Sequence, residues 1–194
     1  MDALVLIDLQ VGLCKPEGVA GAALAGVVAE GGTLAAASSC LEAARRASLE
    51  VVHVRLAFDV GYGRRTNRTE RFDGHEANGR FLETSPDAAF CEEVTPAAGE
   101  LVVSKGSVSP FASTGLLAWL HAREIRRVAI AGVATHLAVE SAAREGADRG
   151  LQVTVIGDAC AAPAEMHAHA IGKTIPAFAE VVQAADFVQR VGAV

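Results

Sequence analysis

Val128-Ala-Ile-Ala-Gly-Val-Ala-Thr-His-Leu-Ala138-Val-Glu-Ser-Ala-Ala-Arg144 reads as a buried strand, a glycine-containing turn and a helix in direct succession. The helix is the clearer half. Val139, Ala142, Ala143 and Ala147 form an apolar stripe at helical spacing, Glu140 and Arg144 pair at i, i+4, and Gly150 closes the segment. A strand that feeds straight into a helix is half of a βαβ unit, and such units build parallel sheets.

Outward from this stretch the same alternation recurs. Short β-rich apolar runs predict strands at about 2–8, 50–56, 100–104, 127–132, 152–157 and 180–183, with helices near 30–48, 113–123, 137–149, 165–175 and 185–191. The expectation is a single α/β domain over residues 1–194, a three-layer sandwich around a central, mainly parallel six-stranded sheet. Two stretches break the rhythm. Gln10 to Gly32 is rich in Gly and Ala and reads as a loop with an irregular helix start. Phe58 to Pro96 is the longest polar connection, and a connection that long is functional or holds short helices of its own.

Composition excludes several classes. The chain has 194 residues, is 51% hydrophobic with few aromatics, and carries a net charge of −6 without a basic block, which argues against disorder and nucleic-acid binding. No apolar run approaches the ~20 residues of a membrane span. Ala3 to Ile7 is too short for a signal-peptide core. Cys14, Cys40, Cys91 and Cys160 are scattered, as expected of free thiols in a reducing cytoplasm.

In open parallel sheets ligands bind beyond the carboxyl ends of the strands. Three polar features sit at such ends: Asp8 after Ala3-Leu-Val-Leu-Ile7, Lys105 after Leu101-Val-Val-Ser104, and the turn Val133-Ala134-Thr135-His136 after Val128–Ala131. Singly, each has an ordinary explanation as a cap, a solvated lysine or a scaffold turn. On neighbouring strands, they would surround a small polar substrate with a carboxylate, an ammonium and helix N-terminal amides.

Asp8-Leu-Gln10, the run Lys105-x-x-x-Ser109-x-Phe111 and the turn Gly132-Val-Ala-Thr135 together resemble the isochorismatase-like (cysteine hydrolase) superfamily over nearly the whole chain. The resemblance implies Asp8 and Lys105 as catalytic residues, Val133, Ala134 and Thr135 as an oxyanion-binding turn with a cis Val133-Ala134 bond, and Gln10, His136 and Phe111 beside the substrate. It also implies assembly as homodimers or higher homo-oligomers. In most members the sixth residue after the turn glycine is the attacking cysteine. Here that position is Ala138, whose methyl group cannot attack a carbonyl.

Three readings remain. Isochorismatases proper also lack this cysteine and are understood to use the Asp as an acid toward an enol ether, a chemistry that needs a raised carboxyl pKa and no nucleophile. His136 matches them, whereas Ala134-Thr135 replaces their Tyr-Ala pair. A second reading is a non-catalytic binder of a small acid or amide. The third is an amidohydrolase using water or another thiol, with Cys160 in Gly157-Asp-Ala-Cys-Ala161 as the available one, although a small buried hydrophobe is its ordinary role. The expected ligand is a small polar or carboxylate-bearing metabolite.

Arginines of the long connection, Arg64, Arg65 and Arg68, are candidate contacts for an acidic substrate, because guanidinium forks onto carboxylates. No cofactor is expected, since no glycine-rich phosphate cradle follows any strand. No catalytic metal is expected either: His53 lies inside a strand, and His167 and His169 do not share a helical face.

Overall fold

A computed structural model describes residues 1–19 and 22–193. The strands are β1 (Ala3–Ile7), β2 (Glu50–Leu56), β3 (Leu101–Lys105), β4 (Arg127–Val133), β5 (Gln152–Ala161) and β6 (Glu180–Val182). Helices are α1 (Val11–Cys14), α2 (Ala22–Glu30), α3 (Thr33–Arg46), α4 (Glu70–Ala77), α5 (Leu116–Ala122), α6 (Glu140–Asp148), α7 (Ala164–His169) and α8 (Ala184–Gly192). All six strands run parallel in the order β3-β2-β1-β4-β5-β6.

The period-2 alternation of a strand sends successive side chains to opposite layers. In β1, Leu4 and Leu6 pack with Leu41, Ala44 and Phe187 of α3 and α8, while Ala3, Val5 and Ile7 join Leu116, Leu120 and Ala142 of α5 and α6. Both faces of β1 are therefore buried, which is why it reads as a continuous apolar run. The chain winds β1-β2-β3 toward one edge and β4-β5-β6 toward the other. The topological switch point lies between β1 and β4, where a crevice opens at the carboxyl ends.

The strand positions match the sequence expectation, with one extension. β5 continues through Gly157 to Ala161, with a register shift between Ile130 and Gly132 on β4, so Cys160 lies within the strand opposite Gly132 rather than after it. The expectation of an irregular stretch from Gln10 to Gly32 is corrected: α1 and α2 are helical there, and Ala25 and Val28 of α2 are buried. Ala20 and Gly21 of that stretch lie outside the described residues. The 58–96 connection holds α4 and two short 3-10 turns, and packs Phe58, Tyr62, Phe72 and Phe81 into a small core of its own. Among the described residues no single helix is long and apolar enough to cross a membrane.

Candidate functional site

Asp8 leaves β1 in the left-handed region, at φ 58°. Asp tolerates this conformation better than most residues, and the turn is tied down by the Asp8 amide donating to Val54 O at 2.8 Å. The residue is 5% exposed. Lys105 Nζ stands 2.7 Å from Oδ2, while Oδ1 has no hydrogen-bond partner among the described residues. Burial pushes the Asp8 carboxyl above its usual range, and the lysine charge opposes that push without cancelling it.

Lys105 reaches Asp8 from two strands away. β2 lies between them, so the backbones are about 10 Å apart, a gap that a long side chain can cross. An ammonium carries three N–H donors. Those of Lys105 have three acceptors at hand: Asp8 Oδ2, Ser107 O at 3.1 Å and Val108 O at 2.8 Å. The lysine is thus held from three sides and holds the aspartate in turn.

The third element is the turn after β4. Gly132 has φ 143°, and a Cβ there would lie 2.0 Å from Ile7 O. Only glycine lets β4 approach β1 this closely at the switch point. The following Val133-Ala134 peptide is cis, as the resemblance implied. A π-helical turn, Thr135–Val139, then leads into α6, with Ala134 O accepting the Leu137 amide at 3.0 Å. Val133, Ala134, His136, Leu137 and Ala138 face the crevice. Thr135 is buried beside the crevice, its Oγ1 2.8 Å from His167 Nδ1.

Asp8, Lys105 and Ala138 line one cavity of about 830 Å³. Its walls are mainly apolar, with Leu13, Leu56, Phe72, Phe81, Val108 and Met166 contributing. α4 forms the opposing wall through Arg71, Phe72 and His75. Such a space fits a small organic molecule with a few fixed polar groups. A second cavity, about 640 Å³, opens at the amino ends of β4 and β5. Its Arg190 pairs with Glu180 and its Arg127 with Asp2, so those charges are already matched.

Other residues singled out by sequence serve elsewhere. Gln10 is a buried strut: its amide donates to Leu56 O and Ala88 O and accepts from the Leu56 amide, and it does not line the cavity. Phe111 packs in the core with Leu116 and Val139. Arg64 pairs with Glu83 at 2.6 Å, and Arg65 is buried between Asp73 and Glu76 of α4. Arg68 is exposed and outside the cavity lining. The arginine that lines the cavity is Arg71, which the sequence reading passed over. Its i, i+4 spacing to His75 places the two on one helix face and was the available signal. Cys160 is buried, and burial pushes its thiol up to about 12. It does not line the cavity.

Residues 2–186 match the Isochorismatase domain family. The ureidoacrylate amidohydrolase RutB of Methylobacterium radiotolerans is 28% identical over 203 aligned positions, covering 97% of this chain and 79% of that protein. The maleamate amidohydrolase of Pseudomonas putida is 38% identical over 76 positions, which span 39% of this chain and 36% of its own. In fold, a cysteine hydrolase from Pseudomonas syringae superposes with TM-score 0.87 at 22% identity, covering 99% of this chain and 92% of that one. The N-carbamoylsarcosine amidase of Thermoplasma acidophilum superposes at 0.73 with 23% identity, over 95% and 97% of the two chains. With the all-parallel sheet and the domain match spanning nearly its full length, this chain belongs to the isochorismatase family of hydrolases.

Proposed function

We propose that this protein hydrolyses a small carboxylate-bearing metabolite, with Asp8 moving the proton and water, not a thiolate, as the nucleophile. The observation that carries this is the division of labour between the two oxygens of Asp8. Oδ2 is fixed by Lys105, and Oδ1 has no hydrogen-bond partner among the described residues, on a residue that lines the cavity, as Ala138 also does.

Hydrolysis of an enol ether is the favoured reaction. A carboxyl whose pKa is raised by burial can remain protonated long enough to act as an acid. Asp8 would give its proton to the terminal vinyl carbon, leaving an oxocarbenium ion stabilised by the ether oxygen. Water adds to the carbon that bears the ether oxygen, giving a hemiketal, and returns a proton to Asp8. The hemiketal then collapses to a ketone and an alcohol. No step calls for a group at position 138, and the small methyl leaves room for the water.

A second reading, water-mediated amide hydrolysis with ionised Asp8 as base, draws on the amidohydrolase activities of the curated relatives. The deciding experiment screens wild type and Asp8→Asn protein against enolpyruvyl ethers and primary amides of small carboxylic acids. We expect enol-ether turnover by wild type and a loss of at least about 100-fold in Asp8→Asn. Turnover of amides alone would transfer the assignment to the second reading. Full activity in Asp8→Asn, or tight binding without turnover on either panel, would overturn the proposal.

A further inference from the structure

We infer that Cys14 and Cys91 form an oxidisable thiol pair, a modification site at which a peroxide converts the two thiols into a disulfide that ties α1 to the segment ahead of β3. Neither residue lines the cavity, so the inference is independent of the hydrolysis proposed above.

Far apart in sequence, the two cysteines are brought together by backbone pairing. Gln10 and Phe90 form an antiparallel bridge, the Val11 amide donates to Ala89 O at 2.9 Å, and the Cys91 amide donates to Leu9 O at 3.0 Å. Cys14 follows one helical turn after Gln10, its amide donating to Gln10 O at 2.8 Å. That turn sets its thiol against the sulfur of Cys91, to which it is hydrogen-bonded. The same S–H has a second acceptor in reach, Asp8 O at 3.9 Å. Just outside the pair, Lys15 Nζ and Glu93 Oε1 stand 2.6 Å apart and join the same two segments.

The two thiols are not equivalent. The hydrogen bond from Cys14 holds the Cys91 thiol below its ordinary pKa against the cost of burial, and the charge of Lys15 assists. The same bond, with burial, pushes Cys14 up. Cys91 is therefore the attacking sulfur and Cys14 the resolving one. Cys40 and Cys160 offer no such arrangement. They pack in clusters on opposite faces of the sheet, and burial pushes both thiols up to about 12.

Both sulfurs are buried, but at shallow depth. Exposed Pro16 and Glu17 come soon after Cys14, and exposed Glu92 and Glu93 follow Cys91. α1 has only 4 residues, too few to hold a helix unaided, and its local opening would admit a molecule as small as hydrogen peroxide. The Cys91 thiolate attacks one peroxide oxygen, the O–O bond breaks, and the departing hydroxide takes a proton to leave as water. Cys14 then attacks the sulfenic sulfur, forming the S–S bond as the S–O bond breaks and a second water leaves. Two thiols have lost two electrons and two protons, and the peroxide has become two waters. The disulfide closes a loop that holds α2, α3, β2 and α4. A cross-link over so long a loop restricts the unfolded chain and stabilises the fold.

The test exposes reduced wild-type protein to hydrogen peroxide, quenches it in acid, alkylates it after unfolding and maps the peptides by mass spectrometry. We expect a Cys14–Cys91 linkage two hydrogens lighter than the reduced pair, with Cys40 and Cys160 alkylated. The urea midpoint should rise by roughly 1 M and return on adding dithiothreitol. In Cys14→Ala protein no disulfide should form, and the Cys91 sulfenic acid should be trapped by dimedone. The mapping on wild type needs no variant to fold. Four alkylated thiols at a dose that already oxidises the half-exposed Met166, a linkage to Cys40 or Cys160, or an unchanged midpoint in the linked protein would overturn the inference.

Discussion

Lys105 and Asp8 form an ion pair that crosses an intervening strand: Nζ from the end of β3 meets Oδ2 at the end of β1, 2.7 Å away, with both residues buried. Taking two charges out of water is expensive, and their mutual attraction offsets that cost only when the remaining hydrogen bonds are also made. The lysine meets that condition through Ser107 O and Val108 O. The aspartate does not, since Oδ1 has no partner among the described residues. The unmet half of the pair belongs to a residue on the cavity, which is the expected mark of a site held ready for a ligand.

Removing one partner therefore exposes the cost of the other. We expect Lys105→Met to destabilise the fold by about 3–5 kcal/mol near neutral pH. The sign of its pH dependence follows from Asp8. In the folded state its pKa is raised, so the associated stability is fully present below the unfolded value of about 3.9 and is lost as pH rises through the folded value. Removing Lys105 takes away a charge that lowers that pKa, so the loss should grow with pH. Urea unfolding at several pH values measures it, and the double variant Asp8→Asn/Lys105→Met should recover much of the loss. A pH-independent penalty, or no recovery, would count against the pair as described.

Kinetics should carry the same signature. If Asp8 is the acid for enol-ether cleavage, kcat/KM falls tenfold per pH unit once pH exceeds its pKa, a break that lies above the ordinary carboxylate range. Lys105→Met should move the break to higher pH. A rate that rises through the same region would instead mark Asp8 as a base, the behaviour required for amide hydrolysis.

Gly132 joins the fold to the site. A methyl group on its Cα would fall 2.0 Å from Ile7 O, on backbone that cannot swing aside, and φ 143° is itself hostile to a side chain. We expect Gly132→Ala to cost about 3 kcal/mol or more, read as a lower urea midpoint. The strain would fall on β1 and β4 just before Asp8 and the Val133-Ala134 turn, so activity should drop beyond what the unfolded fraction explains. Wild-type stability in this variant would mean that the strands separate more readily than their packing indicates.

The sheet was legible because burial on both faces leaves uninterrupted apolar runs such as Ala3–Ile7, and because Gly150 and similar stops punctuate the helices. The convergence of Asp8, Lys105 and the Val133–His136 turn could be anticipated from their positions at strand ends, although the lysine's reach over β2 could not. Two features hid α2. Its Ala- and Gly-rich stretch has weak periodicity, and its helicity depends on burying Ala25 and Val28 against the rest of the fold. The arginines of the 58–96 connection were hardest. Arg64, Arg65, Arg68 and Arg71 are alike in composition, and their separate fates follow from contacts with Glu83, Asp73, Glu76 and the cavity that only tertiary structure brings about. Gln10 looked like a ligand contact for the same reason: its neighbour Asp8 faces the cavity, but its own amide is fully engaged with Leu56 and Ala88.

Ala138 offers the most discriminating substitution. The residue is 3% exposed and lines the cavity with Asp8, Lys105 and the start of the helix that leads into α6. Ala138→Cys adds one sulfur atom toward a space that is already open, so the fold should tolerate it with a stability change of under about 1.5 kcal/mol. A lysine charge and a helix N-terminus both favour a thiolate. Position 138 lines the cavity and none of the four native cysteines does, so a thiol there should react with iodoacetamide faster than they do. Mass spectrometry after a short alkylation pulse reads this directly. The catalytic consequence separates the two chemistries. For an enol-ether hydrolase the added sulfur brings no benefit and crowds the attacking water, so turnover should fall. For an amide hydrolase the variant should gain activity that alkylation then abolishes, because a nucleophile would now stand where water had to serve. A variant that folds, reacts no faster than the native thiols and leaves wild-type turnover untouched would show that position 138 lies outside the reacting centre.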